Sequence, residues 1–502
     1  MTELTQTESE AEAPKRHPRS FEPGMFVLLL LLSGLGVVIG IHVITTLGVS
    51  PSTSVIGALI AMIIGRIGFF GLSRMRNIHR QNLAQSAISA GTFGAANSIL
   101  TPIAIPFALG RPDMIWPMFI GASVGLILDA WMLYRVFGSE FIPATATWPS
   151  GRASAETIKA GDVGGKQALL LGFGAVVGIG GSIAGLSMSA AGVALIGNIW
   201  ALLMFGIGLL LNQYFPILFD VSLLGLYIPH GVMIGAGTVA LVQAGRLIFR
   251  KRTTSVLDTV ITEVDPDPSL IPTVNQKALR RAFGTGYLLF VGGAMVLGLA
   301  AGLWTEMSML GIIGWVLLAG VAAIVHEIIV GLAAMHSGWF PAFAVALIFL
   351  VIGMFLGLPD VPLMLLVGYC AVTGPAFSDM GDDLKAGWVL RRRAWPYTVF
   401  ELQGRREQLK AAFIGFATAI GVVAIAWQPL FANNQFPPIA RVYADTILAG
   451  ISDPTILRNM FLAAIPGAII QIIGGSKRQM GVLLATGLLI SAPMRAGWSS
   501  PR

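Results

Sequence analysis

"MFVLLLLLSGLGVVIGIHVITTLGV", Met25 to Val49, decides the fold class. An α-helix needs about 20 apolar residues to cross a hydrocarbon core of about 30 Å. This stretch supplies them without a single Asp, Glu, Lys or Arg. It is about twice the length of a signal-peptide core and no small-residue cleavage site follows, so it reads as the first membrane helix. Gly284 to Leu303 is a second run of the same kind. Backbone groups in lipid must be paired within each span, so these runs predict an all-α polytopic membrane protein.

Composition agrees. The chain has 502 residues, of which 55% are hydrophobic and only 11% are Asp, Glu, Lys or Arg, against roughly 25% charged in soluble domains. Mean hydropathy is +0.78. Cys370 is the one cysteine, so an intramolecular disulfide and a thiolate metal cluster are both excluded. The formal charge of +7 is assigned to Lys and Arg kept in cytoplasmic loops beside anionic lipid, not to nucleic acid.

Basic segments order the topology. Lys15, Arg16 and Arg19 precede the first span, and "SRMRNIHR" (Ser73 to Arg80) follows the second. Arg135 to Lys166, Arg246 to Arg281, Arg391 to Lys410 and Ser476 to Arg478 continue the series. All are predicted to be cytoplasmic, which puts the N-terminus inside a cell (plasma or inner) membrane. Even numbers of crossings between them give a bundle of about 13 to 16 transmembrane helices, re-entrant pieces included. Residues 1–23, rich in Glu, Ser and Pro, read as a disordered cytoplasmic tail. The polar segment 251–278, with Asp-Pro twice, reads as a cytoplasmic linker between two halves, 24–250 and 279–502. Their similar size fits two structural repeats. Glycine, at 61 residues, is concentrated in runs such as Gly172 to Gly185. Tight helix packing is the plainer account, and broken or re-entrant helices lining a cavity are the functional one.

An ionisable side chain near the bilayer centre costs at least about 2.5 to 3.5 kcal/mol on insertion scales, so each one needs a reason. The candidates are Arg66, Asp129, Asp220, His230, Glu306, His326 and Glu327. Arg66, Asp129 and Glu306 stand near enough to span ends to snorkel. Glu327 sits deeper in an apolar run and is the stronger candidate proton carrier. On a helix, His326 and His336 point about 80° apart and Glu327 faces nearly opposite His336, so one helix cannot chelate with them. With no HExxH and no Cys/His cluster, the sequence supports neither a resident metal nor another cofactor.

"AFSDMGDDLKAGWVLRRR", Ala376 to Arg393, concentrates charge in an otherwise oily chain. If helical, Asp379, Asp382 and Asp383 fall within an arc of about 100°, with Lys385 about 60° beyond Asp382. Such a face can take up a proton or bind a cation, with Lys385 expected to neutralise one charge. A solvated loop is the competing account, and Arg391 to Arg393 are expected to mark the cytosolic side.

"SDMGDDLKAGW" (Ser378 to Trp388) resembles the "SDLMQDFKTGY" signature of yellow stripe-like members of the oligopeptide transporter family; Asp379, Asp383, Lys385 and Gly387 match. "WPSGRASAETIKAGD" (Trp148 to Asp162) is similar to the family's Pro-Ser-Gly loop. "FDVSLLGLYIPHGVMIGAG" (Phe219 to Gly237), with Asp220 and His230, is similar to its Asp-x-Ser segment. "QNLAQSAISAG" (Gln81 to Gly91) resembles "ENTxIQTxxxxxG": Asn82, Gln85 and Ser86 keep polar positions, while Gln81 replaces the glutamate. Coupling would therefore pass through another acid, such as Glu327 or Asp379. The "NPG" and "KIPPR" motifs of the peptide-transporting branch are absent, which favours the yellow stripe-like and prokaryotic side.

The resemblance implies a secondary active transporter that takes up small oligopeptides or peptide-like metal chelates by proton symport, with lipid as its surroundings. The substrate and proton path is expected to use Asp379, Asp383, Lys385, Asp220, His230, Glu327, Gln81, Asn82 and Gln85. No GxxxxGK[ST] loop appears, which disfavours ATP drive. Two alternatives are an integral membrane enzyme acting on a lipid-linked substrate and a passive channel. The first lacks a convergent nucleophile or metal site, so the chain reads as a non-enzyme. Nothing in the sequence specifies the oligomeric state.

Overall fold

Hydropathy alone does not say which helices face lipid; burial does. The computed structural model describes residues 16–47, 54–66, 76–163, short pieces between 173 and 183, 199–249, 268–338, 342–392, 397–450, 454–478 and 480–489. Among these residues there is no strand, only an isolated bridge between Phe137 and Ile142. Among the described residues eight helices are long and apolar enough to cross a membrane, and four shorter apolar helices accompany them. The chain is an all-α polytopic membrane protein.

The N-terminal helices are α1 (Pro23–Leu47), α2 (Ser54–Arg66), α3 (Ile78–Phe93), α4 (Thr101–Ala108), α5 (Ile115–Val136) and α6 (Pro149–Val163). The middle ones are α7 (Ile199–Phe219), α8 (Ile228–Phe249), α9 (Gln276–Ala300), α10 (Met309–Ser337) and α11 (Ala342–Phe355). They are followed by α12 (Asp360–Val372), α13 (Pro375–Arg391), α14 (Tyr397–Ala432), α15 (Pro438–Ala449), α16 (Pro454–Arg478) and α17 (Met480–Leu489). Helices from both ends of the chain pack together: α3 on α14 and α13, α8 on α16, and α7 on α17.

The two most buried spans are also the two that are interrupted. An 18-residue stretch within the span Ile78–Ala108 is 94% buried and one within Asp360–Arg391 is 100% buried, against 44% within Pro23–Thr46. The two spans contain 31 and 32 residues, more than the about 20 needed to cross. The first joins α3 to α4 through a π-helical segment, Gly94–Leu100. Pro102, at the start of α4, has no N–H to give the preceding turn, and the wider register absorbs that loss. The second span breaks outright. Thr373 is extended (φ −80, ψ 157), and Gly374 has φ +91, a conformation that glycine adopts without a Cβ penalty. Pro375 follows at the first turn of α13, where its missing N–H costs nothing. The break therefore puts a helix start inside a buried span.

Of the tail expected at 1–23, residues 1–15 lie outside the described residues. The rest packs on α14: Ser20 N–H donates to a Glu407 carboxylate oxygen at 2.8 Å, and Ser20 Oγ donates to Glu407 O at 2.7 Å. The linker expected at 251–278 lies outside them as far as residue 267, as do residues 73–75 of the second basic segment and part of the glycine run 172–185. From Pro268 onward the chain is fastened to the α5–α6 loop, where Thr273 and Val274 N–H groups donate to Gly138 O at 2.9 and 3.2 Å.

Candidate functional site

α3 and α13 meet along a polar seam. Asp379 and Asp383 are four residues apart, as are Ser89 and Gln85, so each pair occupies one face of its helix. Ser89 Oγ donates to Asp379, and Gln85 Nε2 donates to Asp383. The higher number on α13 meets the lower number on α3, so the two helices run antiparallel there. Ser54, the first residue of α2, closes the group, with its Oγ 3.2 Å from Asp383 Oδ1 and 3.1 Å from Ser89 Oγ. Each of the two aspartates leaves its Oδ2 buried without a partner among the described residues. Gln408 of α14 braces the seam, donating to Asp383 O at 2.6 Å and to Ser86 Oγ at 3.1 Å. Asn82 lies one turn before Ser86 and donates to Gln85 Oε1 at 3.0 Å.

The third acid and the lysine turn elsewhere. Asp382 Oδ1 accepts from Gly151 N–H at 3.0 Å, which satisfies a donor in the first turn of α6. The approach is close: a Cβ on Gly151 would run into the Asp382 backbone, and one on Gly381 into the Trp148 ring. Lys385 Nζ donates to Ala144 O at 2.8 Å and sits 4.1 Å from the centroid of the Trp388 ring. It forms no ion pair among the described residues. The expectation that Lys385 neutralises an aspartate on a shared face does not hold in the structure, because α6 and the loop before it take Asp382 and Lys385, while α3 takes Asp379 and Asp383.

Arg391, expected to mark the cytosolic side, does not itself face water. It is fully buried, with Nε 2.7 Å from Glu401 Oε2 and Nη1 2.8 Å from Gln408 Oε1. Nη1 also reaches Asn82 Oδ1 at 3.5 Å. Arg405 Nε pairs with the other oxygen of Glu401 at 2.7 Å. The charge that sequence reading places in water thus closes the end of the seam. His17 covers this network: its ring centroid lies 5.3 Å from that of His79 and 5.1 Å from that of Phe400. Burial first, and then the nearby Arg391 charge, lower the His17 pKa from 6.5 to about 4.

At the other end of α13 stands Asp129 of α5. Its carboxylate accepts from Gly374 N–H and Phe377 N–H, each at 2.8 Å, so it caps the helix start that the break creates. It is fully buried and does not snorkel. Glu327 of α10 is equally buried, and neither of its carboxyl oxygens has a partner among the described residues. Next to it in sequence, His326 Nε2 lies 2.7 Å from Ala342 O, and its Nδ1 lies 3.4 Å from Thr373 Oγ1.

Of the remaining expected path residues, Gln81 is buried on α3, with Nε2 3.4 Å from Arg76 O. Asp220 is exposed just past α7. His230 is buried in the first turn of α8, 5.0 Å from the Tyr227 ring, in the α8–α16 group and away from the seam. Sequence reading missed Ser54, Ser89, Gln408, Glu401 and the capping part of Asp129. The one sequence signal that could have found part of this group is the four-residue spacing of the polar Gln85 and Ser89 on α3. Among the described residues no group of three or more His, Cys, Asp and Glu side chains is placed to hold a metal ion.

Seam, break and burial define the site; likeness to known proteins bears on one side of it. Residues 23–251 match the family model of the OPT oligopeptide transporter protein. The match spans α1 to α8 and so includes the α3 side of the seam, with Asn82, Gln85 and Ser89. The α13 side lies beyond it. A comparison with curated proteins gives no match.

Proposed function

We propose that this protein is a secondary active transporter of the oligopeptide transporter family, on its yellow stripe-like or prokaryotic side. It takes up small oligopeptides or peptide-like metal chelates across the plasma membrane with protons. The observation that carries this reading is the interrupted, largely buried span of α12 and α13, in which Asp379 and Asp383 face the polar side of a second interrupted span. Discontinuous helices at membrane depth are where transporters bind solute and coupling ion. The family match over residues 23–251 supports the same reading.

Glu327 is the proposed proton carrier. Burying an unpaired charge is costly and burying a neutral carboxyl much less so, which makes this group a natural place for a proton to be taken up and released. Asp379 and Asp383, each with one oxygen unpartnered among the described residues, continue the proposed path toward Arg391. One charge crossing 100 mV is worth about 2.3 kcal/mol, or roughly 50-fold accumulation, so a single proton per cycle suffices.

Proteoliposomes test it. Uptake of labelled small peptides or metal-chelate complexes is expected to accelerate when the outside is acidified or the inside made negative. Glu327→Gln is expected to abolish gradient-driven accumulation while leaving substrate exchange across the membrane. Uptake indifferent to both pH gradient and voltage sinks the coupling, and the absence of transport of either substrate class sinks the substrate assignment.

A further inference from the structure

Five consecutive residues, Ser269 to Thr273, line an open cleft with about 280 Å³ of empty space, its mouth included. The α5–α6 loop, Trp388 of α13 and Arg405 of α14 supply the rest of the lining. Pro268 and Pro272 each remove a backbone donor from this segment. Regular helix begins only after Asn275, whose Oδ1 accepts from Ala278 N–H at 2.8 Å. The segment is instead tied down near its two ends. Arg392 Nε donates to Ser269 Oγ at 3.1 Å. At the other end Thr273 and Val274 N–H donate to Gly138 O at 2.9 and 3.2 Å, and Arg405 Nη1 donates to Thr273 Oγ1 at 2.8 Å. Between the ties, Leu270 and Ile271 are 38% and 51% exposed. A stretch held by a few bonds at its ends, with half-wet apolar side chains between them, belongs to the parts of a fold that open locally at low cost.

The segment closes over the end of α13. Trp388 lines the cleft yet is 5% exposed, and its Nε1–H is buried with no partner among the described residues. An indole N–H can only donate, so this group has a bond to give once the cleft opens. Lys385 Nζ lies 4.1 Å from the Trp388 ring centroid and donates to O of Ala144, another lining residue. Along α13 the order therefore runs from the acids of the seam through Lys385 and Trp388 to the cleft. The ties lead back the same way. Arg405 pairs with Glu401, Glu401 with Arg391, Arg391 with Gln408, and Gln408 donates to Asp383 O. Arg392, which holds the other end, is the residue after the last of α13. A displacement of α13 along its axis thus moves one tie directly and pulls on the other through Glu401.

We propose that residues 268–274 are a gate, latched by Arg392 and Arg405, that closes the transport path at the Arg391 end and is opened by movement of α13. The inference rests on the transport reading. With the gate open, Trp388 Nε1 and Lys385 Nζ offer donors to the carboxylates and amide carbonyls of a passing peptide-like solute.

The test uses the full chain. Cys370, its one cysteine, is buried, so introduced thiols react alone. Thr145→Cys and Ile271→Cys put thiols at exposed positions on two segments that line the cleft. A short reducible cross-linker joins them before reconstitution. In proteoliposomes the cross-linked protein is expected to lose uptake of labelled small peptides or metal-chelate complexes and to regain it on reduction. Thr273→Val removes one latch, while Arg405 Nη1 keeps its bond to Phe137 O. Hydrogen exchange at the Val274 amide is expected to quicken about tenfold in that variant, the loss of one hydrogen bond to a charged group, with the amides of α1 unchanged. Uptake that is equal before and after cross-linking, or Val274 exchange that ignores Thr273→Val, overturns the gate and leaves transport standing. No uptake by the unaltered chain is a separate failure, that of the transport reading, and the gate falls with it.

Discussion

Arg391 shows how one residue can invert its expected meaning. Three arginines in a row read as a water-facing marker, yet the first is fully buried and satisfied by Glu401, Gln408 and Asn82. Its charge is tolerable there because a carboxylate and two amide oxygens replace water. Removing it strands part of that set: Arg391→Met is expected to destabilise the protein by about 3 to 5 kcal/mol, the usual cost of breaking one side of a buried pair. Thermal unfolding in detergent checks this, and a change indistinguishable from zero would show that Arg405 alone satisfies Glu401. Arg391→Lys should rescue only part, since an ammonium cannot reproduce the guanidinium fork. Glu327 is the opposite case, a buried acid without any such set among the described residues, and this makes it the proposed proton carrier.

Among the elements, the α12–α13 junction is the most exacting. Gly374 combines φ +91 with close neighbours, since a Cβ there would press on Val330 and His326. Gly374→Ala is expected to cost at least about 1 to 3 kcal/mol for the backbone alone. It is also expected to loosen the Asp129 cap, so transport should fall together with Tm, and Asp129→Asn should mimic the transport defect with a smaller loss of stability. Measuring both on the same preparations separates the two effects. Much of this architecture is legible in the sequence: Met25 to Val49 and Gly284 to Leu303 fall within or across α1 and α9, because nothing polar masks their hydropathy. α13 is not legible as a buried span. Three aspartates and a lysine lower its hydropathy, and the partners that make it tolerable are remote in sequence. Ser89 is 290 residues from Asp379 and Gln85 is 298 from Asp383, so no window could connect them. The stretch that resembles the family signature, Ser378 to Trp388, lies on this helix, while the helical-wheel argument grouped Asp382 and Lys385 with acids they do not face.

At the scale of the whole molecule, the chain start is part of the closure at the Arg391 end. Residues 16–22 lie over α3 and α14, held by Ser20 on Glu407, by Glu22 on Arg80 at 2.6 Å, and by His17 between His79 and Phe400. His17 has a bound-state pKa of about 4 against 6.5 when free, so the released segment takes the proton first. Docking is therefore expected to be full above about pH 6.5 and to weaken as pH falls from there toward 4. A spin label at exposed Arg19 should report rising mobility over that window, and His17→Asn should flatten the response; constant mobility from neutral pH to pH 4.5 would deny His17 this part. Beneath this cover lies the antiparallel seam, and its spacing has a consequence of its own. Polar residues recur every four positions on both sides, at 81, 85 and 89 on α3 and at 379 and 383 on α13. Sliding one helix past the other by four residues, about 6 Å, would set Asp379 opposite Gln85 and Asp383 opposite Gln81. Like a rack with evenly cut teeth, the two helices possess a second register in which each acid meets a polar side chain once more, this time an amide in both cases.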